Sequence, residues 1–280
     1  MIAINLLAAL LQVSGAASSR IDIVTSATNV IVTGSPSESA VRVATSTGVQ
    51  RPSVTTSGAV TTIRDADESE RIIRGTYEVV VPGGSSVSLR VRCIVENDLP
   101  CPNATVRITA VAAVEYEGVD GNATIGSVRG DVNAASLYGT LTITDVGGKV
   151  EAASQTNAVN VRNVRGEVQV RSTTGMIALE SLVGGATATN TTGEIKLSGT
   201  VGSQSRYQMT TDIGQIRIYL ADGSNATIEV NANPDAINVR TKGARITSRG
   251  ERRRTVIVGT GSTRISARTL QGGVDIGRRQ

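Results

Sequence analysis

Two cysteines and a cluster of arginines are the side chains in this sequence that are grouped as ligand-holding residues usually are. Cys93 and Cys101 bracket Ile94-Val-Glu-Asn-Asp-Leu-Pro100. A close pair around a Pro-containing turn suits a disulfide that closes a short loop in an exported chain, a bridge that contributes ~2–3 kcal/mol. Two free thiols are the alternative. The chain has no His and no second Cys pair, so it lacks the donor set of a zinc-type metal site, and a Ser or Cys nucleophile would have no imidazole base. Arg249, Arg252, Arg253 and Arg254 form the densest basic cluster. They could attract anionic envelope polymers or a phospholipid surface. A solvated turn that protects the last repeat would use the same residues.

The other chemistries that the sequence could carry lack essential parts. No Gly-x-Ser-x-Gly elbow and no Walker-type loop is present. A glycosidase or polysaccharide lyase needs clustered carboxylates and, as a rule, aromatic rings against which sugars stack. Here the acids are dispersed, aromatics make up 2% of the chain, and Phe and Trp are absent. We therefore expect no catalytic residues, no metal and no cofactor. Charge is uneven: residues 240–280 hold eleven Arg and Lys against Glu251 and Asp275, so a chain of net charge +4 is acidic over its remainder.

Stepping along the chain, glycine sets a period. Gly130, Gly148, Gly166 and Gly184 are 18 residues apart, and so are Gly139, Asn157, Gly175 and Gly193. Asn is among the few residues that replace Gly in a left-handed turn. Apolar residues follow each marker at alternate positions. Val132, Val150 and Val168 occupy one column, and Leu141, Val159, Ile177 and Ile195 another. Polar residues lie between them, which is the pattern of strands with one buried face. A third inward position, at Val146, Val164 and Leu182, follows only the second strand. One unit of two short strands cannot bury its own apolar face, so successive units must stack. The sequence thus predicts an all-β parallel β-solenoid (β-helix) of 18–21-residue turns over 105–280, right-handed by the crossover rule. Tyr207 with Met209 and then Ile228 with Val230 continue the first column, and Ile265 with Ala267 comes later. The lengthened turns place bulges near Gly202–Ser205 and Ala221–Ala226. The strand-like but non-periodic residues 18–104 are read as an irregular cap that includes the cysteine loop.

Residues 1–17 open with the apolar run Ile2-Ala-Ile-Asn-Leu-Leu-Ala-Ala-Leu-Leu and end in small residues. This reads as a signal peptide cleaved near Ala16 or Ala17, the alternative being a buried N-terminal strand or helix. Nothing in the sequence reaches the ~20 apolar residues of a membrane span, so no transmembrane anchor is expected.

Several segments resemble the bacterial putative-adhesin β-strand-repeat family, a domain of unknown function. They are Tyr77-Glu-Val-Val-Val-Pro-Gly-Gly84, the Thr-Gly units at Ser172–Gly175 and Asn190–Gly193, and Gly259-Thr-Gly261 with Thr269-Leu-Gln-Gly-Gly-Val-Asp-Ile276. The resemblance covers about residues 75–277, and the Cys93–Cys101 insert departs from it. It implies an exported or envelope-associated β-solenoid and supplies no catalytic residues. The expected function is a non-catalytic, extracytoplasmic (periplasmic or extracellular) binding or scaffold module. Its partner would be an envelope component, a polysaccharide or a protein, and not a nucleic acid. Self-assembly into bactofilin-like filaments and a polysaccharide-active enzyme are the competing readings.

Overall fold

The computed structural model describes residues 11–13, 19–65, 73–92, 104–248 and 252–278. Cys93, Cys101, Arg249 and the expected leader other than Leu11–Val13 lie outside the described residues. The protein is an all-β parallel β-solenoid that packs as two compact units, residues 1–139 and 140–280.

In the second unit each turn of the solenoid contributes one strand to each of two sheets. In one sheet Leu141, Val159, Ile177, Ile195 and Ile216 stand in register on successive parallel strands. In the other, Val150, Val168, Ala186 and Tyr207 do the same. All nine side chains are buried, as is Val132 in the first unit. Fully burying each Ile, Leu or Val contributes ~1.5–3 kcal/mol, so these aliphatic columns supply the stability. The surface ion pairs, such as Lys149 with Glu151, contribute far less.

Two recurrent corner devices shape each turn. Asp145, Asn163 and Ser181 have φ of 56°, 54° and 53°. A left-handed residue between Ile143 and Val146, and at the equivalent places 18 residues on, turns the chain so that the inward spacing opens from two residues to three. This is the origin of the third inward position. The second device is a column of buried polar residues: Ser154, Ser172, Asn190, Thr211 and Thr269. Each sits three residues before a turn residue, and several of their side chains donate to turn carbonyls. Asn190 Nδ2 lies 2.7 Å from Gly175 O, and Thr269 Oγ1 lies 3.1 Å from Gly214 O. These bonds satisfy corner carbonyls that the ladders leave over.

The two glycine series serve different ends. Asn157 has φ 80°, and Gly193, one of its equivalents, has φ 135°. A Cβ at Gly193 would also fall 2.0 Å from Gly175 O. At Gly166 only the close approach matters, because a Cβ there would meet Gly148 O at 2.2 Å. Gly193→Ala is expected to lower stability by ~2–4 kcal/mol through strain and displacement of the neighbouring turn. Gly84 has open space around its Cβ position, and Gly84→Ala should be neutral. Thermal melts of the two variants, read by circular dichroism, check the contrast. Equal melts would show that the turns do not stack this closely.

The distal end of the second unit departs from simple succession. The columns do not pass from Tyr207 and Met209 to Ile228 and Val230 as the sequence order implies. Residues 263–278 are inserted between the 206–220 and 226–239 turns: Ile265 pairs with Tyr207 on one side and with Ile228 on the other. In the second sheet Val274 likewise stands between Ile216 and Ile237. The strands Arg245–Ser248 and Arg253–Val258 form no further parallel turn. Arg253–Val258 runs antiparallel beside Ala226–Asn231, Arg245–Ser248 pairs antiparallel outside it, and Ile246 is exposed. Alternation specifies which face of a strand is buried, and any strand with that alternation satisfies the same column. The order of stacking is decided by connection length. A register shift lies just ahead of the expected bulge at Gly202–Ser205: Glu180 pairs with Ser198 but Leu182 with Val201. Beyond it the Tyr207 hydroxyl accepts from Gly202 N at 2.9 Å while donating to Leu182 O at 2.6 Å.

The first unit repeats this device. Strands Arg20–Thr25 and Ala27–Ser35 form a turn inserted between later ones. Ile21 pairs with both Thr61 and Val87, and Val30 with both Tyr77 and Val106. The stretch that looks irregular in sequence therefore forms parallel turns stacked out of chain order. Antiparallel strands, Val41–Thr45 and Ser53–Ser57, are added at its margin. Leu11–Val13 pairs antiparallel with Val41–Val43. Tyr77 and Tyr116 fill this interior. Burial pushes the Tyr116 hydroxyl up to about 12. Tyr77 is raised further, first by burial and then by the Asp65 carboxylate. Asp65 closes a corner by accepting from Thr25 Oγ1 at 2.7 Å and from Ser26 N at 2.7 Å.

Candidate functional site

Regular turns make flat sheet faces on which neighbouring charges pair off. On the first unit Arg20 bonds Asp22 at 2.7 Å and Arg90 bonds Glu117 at 2.7 Å. In the second unit the inserted turn breaks this regularity and creates a groove.

Glu180, Ser198, Tyr219 and Gly277 occupy one outward column on successive strands. Arg240 continues it, because Val239 pairs with Ile276 and the Arg240 N–H donates to Ile276 O at 2.7 Å. At ~4.8 Å per strand the column runs ~19 Å across the sheet. Its floor is low at Ser198 and lowest at Gly277. A Cβ at Gly277 would lie 3.1 Å from Tyr219 Cδ1, so the aromatic ring rests over the bare glycine backbone. The resulting groove has a volume of about 680 Å³, within the range of small-molecule pockets.

Cations surround this floor. Lys196 Nζ stands over the Tyr219 ring, 6.0 Å from its centroid, at the limit of a cation–π contact. Arg240 and Lys242 are exposed on the far side, and Arg278 enters from the inserted turn, held by Asp222 at 2.7 Å. Glu180 is the carboxylate lining the groove. The neighbouring Arg217 is occupied outside the groove, with Glu194 at 2.8 Å and Asp275 at 4.0 Å. The groove therefore presents an excess of positive charge around one aromatic ring. Among the described residues, no cluster of His, Cys, Asp or Glu could hold a metal ion.

The arginines singled out from sequence lie elsewhere. Arg253 and Arg254 stand opposite Asn231 and Val230 and line a second, smaller groove of about 300 Å³ with Glu229 and Arg268. Arg252 donates to Leu270 O at 3.2 Å and Arg254 to Arg253 O at 3.2 Å, so both guanidinium groups bind backbone carbonyls. Tyr219, Lys196, Arg240 and Lys242 were not anticipated. One signal in the sequence could have found part of this set: Ser198, Tyr219 and Arg240 follow one another at the lengthened period of 21.

No family model matches the chain, and no curated protein matches its sequence. Among solved structures it is similar to a "putative adhesin" of Bacteroides fragilis, with 12% identity over 97% of both chains and a TM-score of 0.46. It is also similar to a "putative adhesin" of Parabacteroides distasonis, with 10% identity over 98% of both chains and a TM-score of 0.48. A "putative cell adhesion protein" of Clostridium sporogenes matches at 10% identity over 98% of this chain and all of that one, with a TM-score of 0.25. These likenesses are too loose to carry functional weight. Among the described residues, no helix is long and apolar enough to cross a membrane.

Proposed function

We propose that the protein is a non-catalytic, extracytoplasmic binding module that holds its partner against the outer sheet face of its second unit. The observation that carries this reading is the groove over Tyr219 and Gly277, where unneutralised cations gather on a rigid floor. Elsewhere on the sheet faces several bases are paired with acids, as Arg20 is with Asp22, Arg90 with Glu117 and Arg217 with Glu194. A flat strand-built face held by buried aliphatic columns is preorganised, so binding costs little conformational entropy. The absence of His from the sequence and the engagement of carboxylates such as Asp22, Glu117 and Glu194 in ion pairs favour recognition over catalysis.

Cleavage near Ala16 or Ala17 would remove the short marginal strand Leu11–Val13, which pairs with Val41–Val43, and would leave Arg20–Thr25, paired on both sides, in place. Filament assembly by end-to-end stacking is less favoured. In one sheet of each unit the parallel ladder is followed by an antiparallel strand, Ser53–Ser57 or Arg245–Ser248, which a parallel turn of another copy would not continue in register. In the other sheet of the second unit it ends on the three-residue strand Ile237–Val239.

The test is attachment. Beads coated with the purified chain should be retained on bacterial envelope fractions or extracellular matrix, and released as salt rises. Beads that bind neither material at low salt would overturn the reading.

A further inference from the structure

We infer that the Tyr219 groove is a binding site for an extended acidic polysaccharide, with carboxylated sugars as the units that it recognises. This rests on the binding-module reading and names the ligand class. Three features of the groove carry it.

The first is shape. The groove crosses the strands along the column Glu180, Ser198, Tyr219, Gly277 and Arg240, so it is linear, ~19 Å long at the inter-strand spacing, and open along its length. A slot of this kind takes a run of a few linked sugars and suits a compact ion poorly. The second is charge. Lys196 projects from the Ile195–Val201 strand and Arg240 and Lys242 from the connection that follows Ile237–Val239, and Arg278 stands beside them with one partner, Asp222. Positive charge is thus distributed along the slot, as repeated carboxylates on a polymer require. Arg forks bind carboxylates in bidentate fashion, and lysines act as point charges. The third is the ring. Tyr219 is the aromatic side chain lining this slot, and its ring lies over Gly277. Its ring edge and hydroxyl offer an apolar and a polar contact to a sugar, and Lys196 above it has a flexible stem that can swing to a ligand carboxylate. Ser198 and Glu180 add polar groups that can bond sugar hydroxyls.

Other polyanions fit less well. Single-stranded nucleic acid is bound through successive aromatic platforms, and this slot has one ring. A lipid surface calls for a protruding basic or apolar element, whereas these cations line a depression.

The experiment uses the full chain and isothermal titration with a tetramer of galacturonate, a neutral tetramer of galactose, a single-stranded oligonucleotide and anionic phospholipid vesicles. The expected result is saturable binding of the uronate tetramer with one site per chain, and no detectable heat with the neutral tetramer. Removing two charge-assisted contacts in Lys196→Ser/Lys242→Ser should weaken uronate binding at least about tenfold, and Tyr219→Ala should weaken it several-fold. Arg253→Ser/Arg254→Ser in the other groove should leave it unchanged, and thermal melts verify that each variant is folded. Uronate binding that is absent, insensitive to the Lys196 and Lys242 changes, or weaker than binding of the oligonucleotide or vesicles would overturn the assignment. If beads carrying the wild-type chain still attach to envelope material in that event, the binding-module reading stands and only the ligand class falls.

Discussion

A chain truncated before Thr263 should lose far more stability than the removal of one terminal turn would suggest, with a melting temperature at least about 10 °C below that of the full chain. Residues 263–278 have partners on both sides in both sheets, so their loss leaves two turns with unpaired inner edges. Ile265, Ala267, Val274 and Ile276 are buried, and burying each of the larger three contributes ~1.5–3 kcal/mol. That sum approaches the total stability of an ordinary domain, ~5–15 kcal/mol. The strand Ala226–Asn231 and the antiparallel strands beside it would then lose their attachment to the ladder, because the parallel partner of Ala226–Asn231 is the Thr263–Gln271 strand itself. Limited proteolysis should cut the truncated chain within 226–258, and a synthetic peptide spanning 259–280 should restore both melt and protection. Hydrogen exchange of the intact chain offers an independent check. Amides of Ile265 to Thr269 should be as slow as those of Ala186 to Asn190, although chain ends ordinarily fray. A truncated chain that melts with the full one would mean that the C-terminal turn is not sandwiched.

This insertion marks how far the sequence could be read. Alternation and the glycine period identify the strands, their buried faces and the 18-residue turn, because those features repeat locally. They carry no information on which turn neighbours which once the period is broken. Ile228 with Val230 and Ile265 with Ala267 present the same inward pair, and both fit against Tyr207 and Met209. The groove was hidden for the same reason. Tyr219 and Arg240 are 21 residues apart in sequence, as neighbours in simple succession would be, yet Gly277 stands between them. Only that interposed glycine turns a row of outward side chains into a slot. The buried polar column was in principle legible, since Ser154, Ser172, Asn190, Thr211 and Thr269 all precede a turn residue by three. The identity of these residues hides the column, because Ser, Asn and Thr are ordinary on strand surfaces and nothing in them tells a corner-facing position from a solvent-facing one. The arginine cluster was conspicuous for its density alone. Density does not reveal that Arg252 and Arg254 are engaged with backbone carbonyls.

Ile177→Asp should unfold the second unit at neutral pH. Ile177 is fully buried and stacks in register between Val159 and Ile195. The substitution removes a packed aliphatic side chain, which costs ~2–5 kcal/mol. It also places a carboxylate where the in-register neighbours offer no cation and no hydrogen-bond donor from a side chain, a further cost of several kcal/mol. Together these reach the ~5–15 kcal/mol that holds an ordinary domain together. The pH dependence identifies the cause. Burial raises the folded-state pKa of the new carboxyl above its unfolded value of about 3.9. The variant's deficit is therefore smallest below that value, where both states are protonated, and grows as pH rises through the folded pKa. Ala178→Asp supplies the control one residue away. Ala178 faces outward between Asn160 and Lys196, so a carboxylate there meets solvent and a lysine, and the change should stay within about 0.5 kcal/mol. Urea unfolding of both variants at neutral and acidic pH measures the contrast. A near-wild-type midpoint for Ile177→Asp, or equal effects at 177 and 178, would refute the register on which the buried columns and the Tyr219 groove both depend.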